Sequence, residues 1–184
     1  MGLNTTASNN TAVGYSALLS NTTGTSNTAV GRIAGDSITT GSYNTVVGDD
    51  SLRDSTTSSN NTAIGAGVMS LTTTGARNTA MGMAALQSNT SGNYNVAIGD
   101  QAVFRNTNGG ENTGVGFLAL QNNGLSTSGI SYNTGIGSRA LAGNTSGAQN
   151  TSLGAFAGSD LTSGGANTFI GYNTQPSAVG GANQ

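Results

Sequence analysis

The residues best able to do chemistry are scarce in this chain and poorly spaced for it. Its 184 residues include 22 serines and 27 threonines, each a nucleophile in principle, but no histidine to serve as base. A Ser-His-Asp arrangement is therefore out of reach. Glu111 and six aspartates are the only carboxylates, and no two recur in a column that would face a glycan across a groove. Asp49-Asp50 with Asp54 invites a calcium reading. Carboxylates at calcium-loop spacing and the calcium-binding nonapeptide are both missing, so these residues read as solvated turn carboxylates. TNGGENTGVG (107–116) has the glycines of a phosphate loop, but no lysine follows and no helix begins, so its glycines read as corners. The expectation is a protein with no catalytic residues, no metal and no cofactor: not an enzyme.

Composition narrows the classes further. Gly, Thr, Asn and Ser make up more than half of the chain, charged residues are 7%, and Pro176 is the single proline. Polar tracts of this kind are usually disordered, but disorder normally comes with high charge or abundant proline. A net charge of −2 with five arginines and no lysine gives no footprint for nucleic acid or for an anionic membrane. No apolar run is long enough to cross a bilayer as a helix. Without cysteine, disulfides and thiolate metal sites are excluded.

What orders such a chain is repetition. The phrase N-T-x-Φ-G, with Φ a large aliphatic residue, begins at Asn10, Asn27, Asn44, Asn61, Asn78, Asn95, Asn112, Asn133, Asn150 and Asn167. The spacing is 17 residues throughout, except for one interval of 21 between Asn112 and Asn133. Counting each of these asparagines as position zero, threonine stands at plus one in all copies but the one with Val96. Plus three is Val13, Val30, Val47, Ile64, Met81, Ile98, Val115, Ile136, Leu153 and Ile170. Plus four is always glycine: Gly14, Gly31, Gly48, Gly65, Gly82, Gly99, Gly116, Gly137, Gly154 and Gly171. Plus seven is mostly alanine and plus eight mostly aliphatic. A turn phrase such as NTTG (21–24) or NTSG (144–147) follows. The four extra residues fall within NNGLSTSGISY (122–132), a turn region where an insertion costs little.

A unit this short, built from Thr, Asn and Gly, is a poor helix pair and a good strand-and-turn lap. The repeat predicts an all-β parallel β-solenoid, a β-roll of about ten 17-residue coils in one domain over 1–184. Each coil is expected to carry two short strands, one at NTAVG and one at the AL segment, with the plus-four glycines at the corners. Neighbouring coils would lie about 4.8 Å apart, with Asn and Thr columns running as hydrogen-bonded ladders. Arg32 and Asp49 share plus five, and Asp36 and Arg53 share plus nine, so each pair should lie side by side. The plus-three column is expected to be the structural core. Plus two is also small and apolar in most copies, for example Ala12, Ala29 and Val46, and a strand apolar on both faces points to a second burying surface. That surface would be another copy of the chain, most simply in a homotrimer. Repeat-like sequence close to both ends suggests a segment of a longer fibre.

NTAVG…AL…NTTG in tandem, over about residues 4–181, resembles the repeats of phage and virus tail-fibre proteins. It is similar too to the head repeats of trimeric autotransporter adhesins, whose coils carry an SVAIG-type phrase, although the period here is longer through a longer turn. The resemblance implies a left-handed parallel β-roll assembled as a trimer, on a virion or a cell surface, used in attachment to a host glycan or protein receptor. It implies no catalytic residues.

Two further readings stand beside attachment. Threonine ranks at coil spacing (Thr11, Thr28, Thr45, Thr62, Thr79 and, separately, Thr22, Thr39, Thr56, Thr73, Thr90, Thr107) would suit an ice-binding solenoid, although plus three is aliphatic where a second threonine is usual. Tyr43, Tyr94 and Tyr132 directly precede repeat asparagines, and Tyr15, Phe117 and Tyr172 share plus five. Such rings either stack on sugars or cover the corners of the coil. Asn-x-Ser/Thr triplets at Asn4, Asn21, Asn89 and Asn144 follow from the repeat itself.

Overall fold

A computed structural model describes residues 2–124 and 131–177. Among these residues the chain forms a parallel β-solenoid with one three-residue strand per coil: β1 (Thr11–Val13), β2 (Thr28–Val30), β3 (Thr45–Val47), β4 (Thr62–Ile64), β5 (Thr79–Met81), β6 (Val96–Ile98), β7 (Thr113–Val115), β8 (Thr134–Ile136), β9 (Thr151–Leu153) and β10 (Thr168–Ile170). They make a single ten-stranded sheet in sequence order. Like pairs with like along it: Thr28 with Thr45, Ala29 with Val46, Val30 with Val47. The 21-residue interval leaves the register intact, since Thr113 still pairs with Thr134 and Val115 with Ile136. Most of the insertion, residues 125–130, lies outside the described residues.

The second strand expected at the AL segment does not form. That stretch is a run of tight bends in which plus six and plus eight take left-handed backbone, as at Ser16 (φ 56°) and Leu18 (φ 50°), or Asp50 (φ 58°) and Leu52 (φ 47°). Its backbone still bonds to the next coil, with Leu18 N–H donating to Ala34 O at 3.1 Å and Leu52 N–H to Val68 O at 2.9 Å. Left-handed leucine costs roughly 1–2 kcal/mol. Here it turns the side chain into the lumen, where Leu18, Leu52, Met69, Leu86, Leu120 and Leu141 are fully buried.

The core also differs from the sequence expectation. Inside the coil lie plus two, plus seven and plus eight: Ala29, Val46 and Ala63 from the sheet face the alanines and leucines of the bends. The plus-three column points out. Val13 is 57% exposed, Val30 and Val47 37%, and Ile170 66%. Met81, Ile98, Ile136 and Leu153 are likewise exposed, while Ile64 and Val115 are half-buried. Within one chain, Val13, Val30, Val47, Ile64, Met81, Ile98, Val115, Ile136, Leu153 and Ile170 are therefore an outer stripe and not a core.

Asparagine decides this parity. Its Nδ2 donates across the lumen to the carbonyl fourteen residues on, as Asn27 does to Gly41 O (2.8 Å) and Asn61 to Gly75 O (3.0 Å). That bond pins the end of the lap to its beginning, and it requires the asparagine side chain to point inward. Successive strand side chains alternate, so plus two follows asparagine inward and plus one and plus three go outward.

Candidate functional site

The asparagine column is a continuous buried ladder. Each Oδ1 accepts the backbone N–H of the next asparagine: Asn27 from Asn44 (3.0 Å), Asn44 from Asn61 (3.0 Å), Asn61 from Asn78 (2.9 Å) and Asn78 from Asn95 (2.9 Å). It crosses the insertion as well, where Asn133 N–H donates to Asn112 Oδ1 at 3.0 Å. A second asparagine file at plus eleven is equally buried, including Asn21, Asn89, Asn106, Asn123 and Asn144. Three of the Asn-x-Ser/Thr asparagines (21, 89 and 144) thus sit inside the solenoid, away from any modifying enzyme.

Every corner glycine takes a positive φ, and all but Gly171 lie against the backbone of the next coil. Their φ angles run from 117° at Gly171 to 142° at Gly31. A Cβ on Gly31 would lie 2.3 Å from the carbonyl oxygen of Gly48 in the next coil. No side chain fits a backbone approach that close.

The two threonine ranks have different fates. Hydroxyls at plus twelve donate to the carbonyl seventeen residues ahead: Thr39 to Thr56 O (3.0 Å), Thr73 to Thr90 O (3.1 Å), Thr90 to Thr107 O (2.9 Å). These hydroxyls stitch coils together. The plus-one rank, by contrast, stands on the outer sheet face beside plus three, with Thr28, Thr45, Thr79, Thr151 and Thr168 exposed. The outer face is thus two parallel files, one of threonine and one of aliphatic side chains, running the length of the sheet. Variable residues flank it at minus one and plus five.

Of the two expected charge pairs, one forms. Arg32 Nε lies 2.8 Å from Asp49 Oδ1, which raises the guanidinium pKa through that hydrogen bond. Arg53 turns instead to its own coil, with Asp54 at 2.7 Å and Asp50 at 3.0 Å, and leaves Asp36 aside. The hydrogen bond from Arg53 holds the Asp54 carboxyl below its ordinary range. The acidic trio weighed for calcium is thereby engaged by arginines. Among the described residues no three acidic, histidine or cysteine side chains gather in a way that would hold a metal ion.

The aromatic residues do not line up as one platform. Tyr94 is covered by Arg77, whose guanidinium lies 5.3 Å from the ring centre. Phe156 meets Tyr172 edge to face at 6.1 Å, and Arg139 sits between Phe117 and Phe156, 6.0 and 5.7 Å from their ring centres.

Compared with protein families, with curated proteins and with solved structures, the chain matches none.

Proposed function

We propose that this solenoid is a structural and adhesive segment of a homotrimeric surface or tail fibre, supporting attachment of a virion or cell to its host. One observation carries the reading: plus three is aliphatic in all ten repeats although it faces outward. Exposure alone permits any polar residue, as it does at minus one (Asn9, Ser26, Tyr43, Asn60, Arg77) and at plus five (Tyr15, Arg32, Asp49, Ala66). A position held apolar ten times on the outside needs a covering surface, and an identical chain supplies a matching stripe with the same period. The likeness of NTAVG…AL…NTTG to tail-fibre and adhesin-head repeats agrees with this. Stiffness is then the working property, because coils joined by backbone and asparagine ladders resist bending and proteolysis. Analytical ultracentrifugation tests it: the wild-type chain should sediment as a trimer, and Val30→Ser with Val47→Ser and Ile64→Ser should sediment as a folded monomer. A wild-type chain that is monomeric and folded at all concentrations would refute it.

Ice binding is the second reading, favoured by the plus-one hydroxyls that stand outward in rank at sheet spacing. Against it, the neighbouring file mixes Val, Ile, Met81 and Leu153. An interface with another chain tolerates that variety, whereas a surface matched to a lattice does not. Thermal hysteresis at micromolar protein would favour ice binding.

A further inference from the structure

An open notch of about 460 Å³ interrupts the bends of three successive coils. It is bounded by repeat-equivalent residues at plus six, plus nine and plus ten. In the middle coil plus nine and plus ten are Ala142 and Gly143, the one coil in which both are small and apolar. The coils on either side present polar side chains at these positions, Gln121 on one wall and Ser159 and Asp160 on the other. The notch is thus a step down between two polar walls. It adjoins the coil where the 21-residue interval breaks the period.

Arg139 stands at plus six of the same coil, exposed, and lines the notch. Two of the other arginines hold carboxylates and Arg77 bonds the Tyr94 hydroxyl. Arg139 has no acidic partner among the described residues. Its guanidinium is held between the rings of Phe117 and Phe156, so it is oriented before any ligand arrives. The opposite wall is fixed too: Gln175 Nε2 donates to Phe156 O (2.8 Å) and to Ser159 Oγ (2.9 Å).

We propose that this notch binds a hexuronate unit, a sugar ring carrying a carboxylate. Arg139 takes the carboxylate, Phe156 and Leu118 offer apolar surface to the C–H face of the ring, and Gln121 and Asp160 meet its hydroxyls. Asp160 sets the class. It accepts hydrogen bonds from the ring hydroxyls, which offsets its repulsion of a negatively charged ligand; a plain inorganic anion brings the repulsion without a ring of hydroxyls. Three coils span about 10 Å, room for one pyranose. The corner glycine separates these positions from the strand, so the site does not depend on whether the outer sheet face is covered.

The test is a titration of the full chain, followed by backbone NMR, with glucuronate, glucose and inorganic phosphate in turn. Glucuronate should move resonances in 118–122, 139–143 and 156–160, with glucose and phosphate at least about tenfold weaker, the loss expected for one missing charge-assisted contact or an added repulsion. Arg139→Gln should weaken glucuronate by about tenfold on the same grounds, and Arg105→Gln should change nothing. Ala142→Phe, which fills the notch, should abolish the shifts. Phosphate binding as tightly as glucuronate would overturn the proposal, as would glucose doing so, Arg139→Gln leaving affinity unchanged, or glucuronate moving nothing. Ligand selectivity on the wild-type chain decides even if a variant misfolds. None of these readouts depends on trimer formation, so failure here is distinguishable from failure of the fibre reading.

Discussion

Gly35 and Ile38 together fill one place in the lumen: a Cβ built on Gly35 would lie 2.9 Å from Ile38 Cδ1. In most coils plus eight carries a large aliphatic side chain and plus eleven a smaller polar one, as with Leu18 and Asn21. Where plus eight is glycine, plus eleven becomes Ile38, and the same exchange recurs with Gly158 and Leu161. Phe169 in the following coil also leans over Gly158, within 2.7 Å of where its Cβ would be. The volume per lap is conserved even though the position supplying it is not, as close packing demands.

The exchange can be tested by swapping it. Ile38→Ala should cost about 2–5 kcal/mol through the cavity left behind. Gly35→Leu should also destabilise, by about 1–3 kcal/mol of overpacking. The double variant Gly35→Leu/Ile38→Asn recreates the Leu18/Asn21 arrangement and should recover most of the loss, as read by chemical denaturation. A double variant less stable than Gly35→Leu alone would mean that the two positions do not share one site.

The Asn61 side chain ties its own coil to the next, accepting from Asn78 N–H and donating to Gly75 O at the end of its own lap. Asn61→Ala leaves a buried donor and a buried acceptor without partners, at about 1–3 kcal/mol each. A midpoint shift in denaturant of the corresponding size checks this. A near-neutral Asn61→Ala would contradict the ladder.

The threonine ranks should respond differently to the same change. Thr39→Val removes a hydroxyl bonded to Thr56 O and should cost about 1 kcal/mol. Thr28→Val removes an outward hydroxyl, and Val96 already occupies the equivalent place, so stability should stay within about 0.5 kcal/mol. Equal effects on the melting temperature would contradict the assignment.

Arg53 with Asp54 gives a small acid dependence. The folded Asp54 carboxyl titrates below its unfolded value, so its contribution is whole above the unfolded pKa of about 3.9 and fades as pH falls through the folded one. The pair is partly exposed, so salt should weaken it. Wild type and Arg53→Gln should differ in melting temperature at neutral pH and converge in strong acid. A difference that grows with acidification would show another cause.

Period and register were legible in the residues. Identical phrases seventeen apart stack in one sheet, and Arg32 meets Asp49 as spacing alone required. The direction of the strand faces does not follow from the size of the plus-three residue; it is set by the asparagine three residues before it. Asn44, buried and bonded to Ser58 O at 2.9 Å, carries that parity, and its invariance was the available signal. The AL segment misled because left-handed leucine runs against local preference and is imposed by lumen packing. Arg53 left Asp36 because two carboxylates in its own coil were closer. The notch over Ala142 and Gly143 was invisible to column averages, since it consists of one coil departing from its neighbours. The Gly35–Ile38 exchange was hidden for the same reason.

The central claim is that plus three leaves its own coil and meets another chain, while plus two stays inside. Single cysteines at adjacent positions test it directly, since the chain has none of its own. On mild oxidation Val47→Cys should form disulfide-linked chains, and Val46→Cys, buried in the lumen, should not. Cross-linking through Val46→Cys, or a Val47→Cys thiol that stays unlinked at every protein concentration, would contradict it.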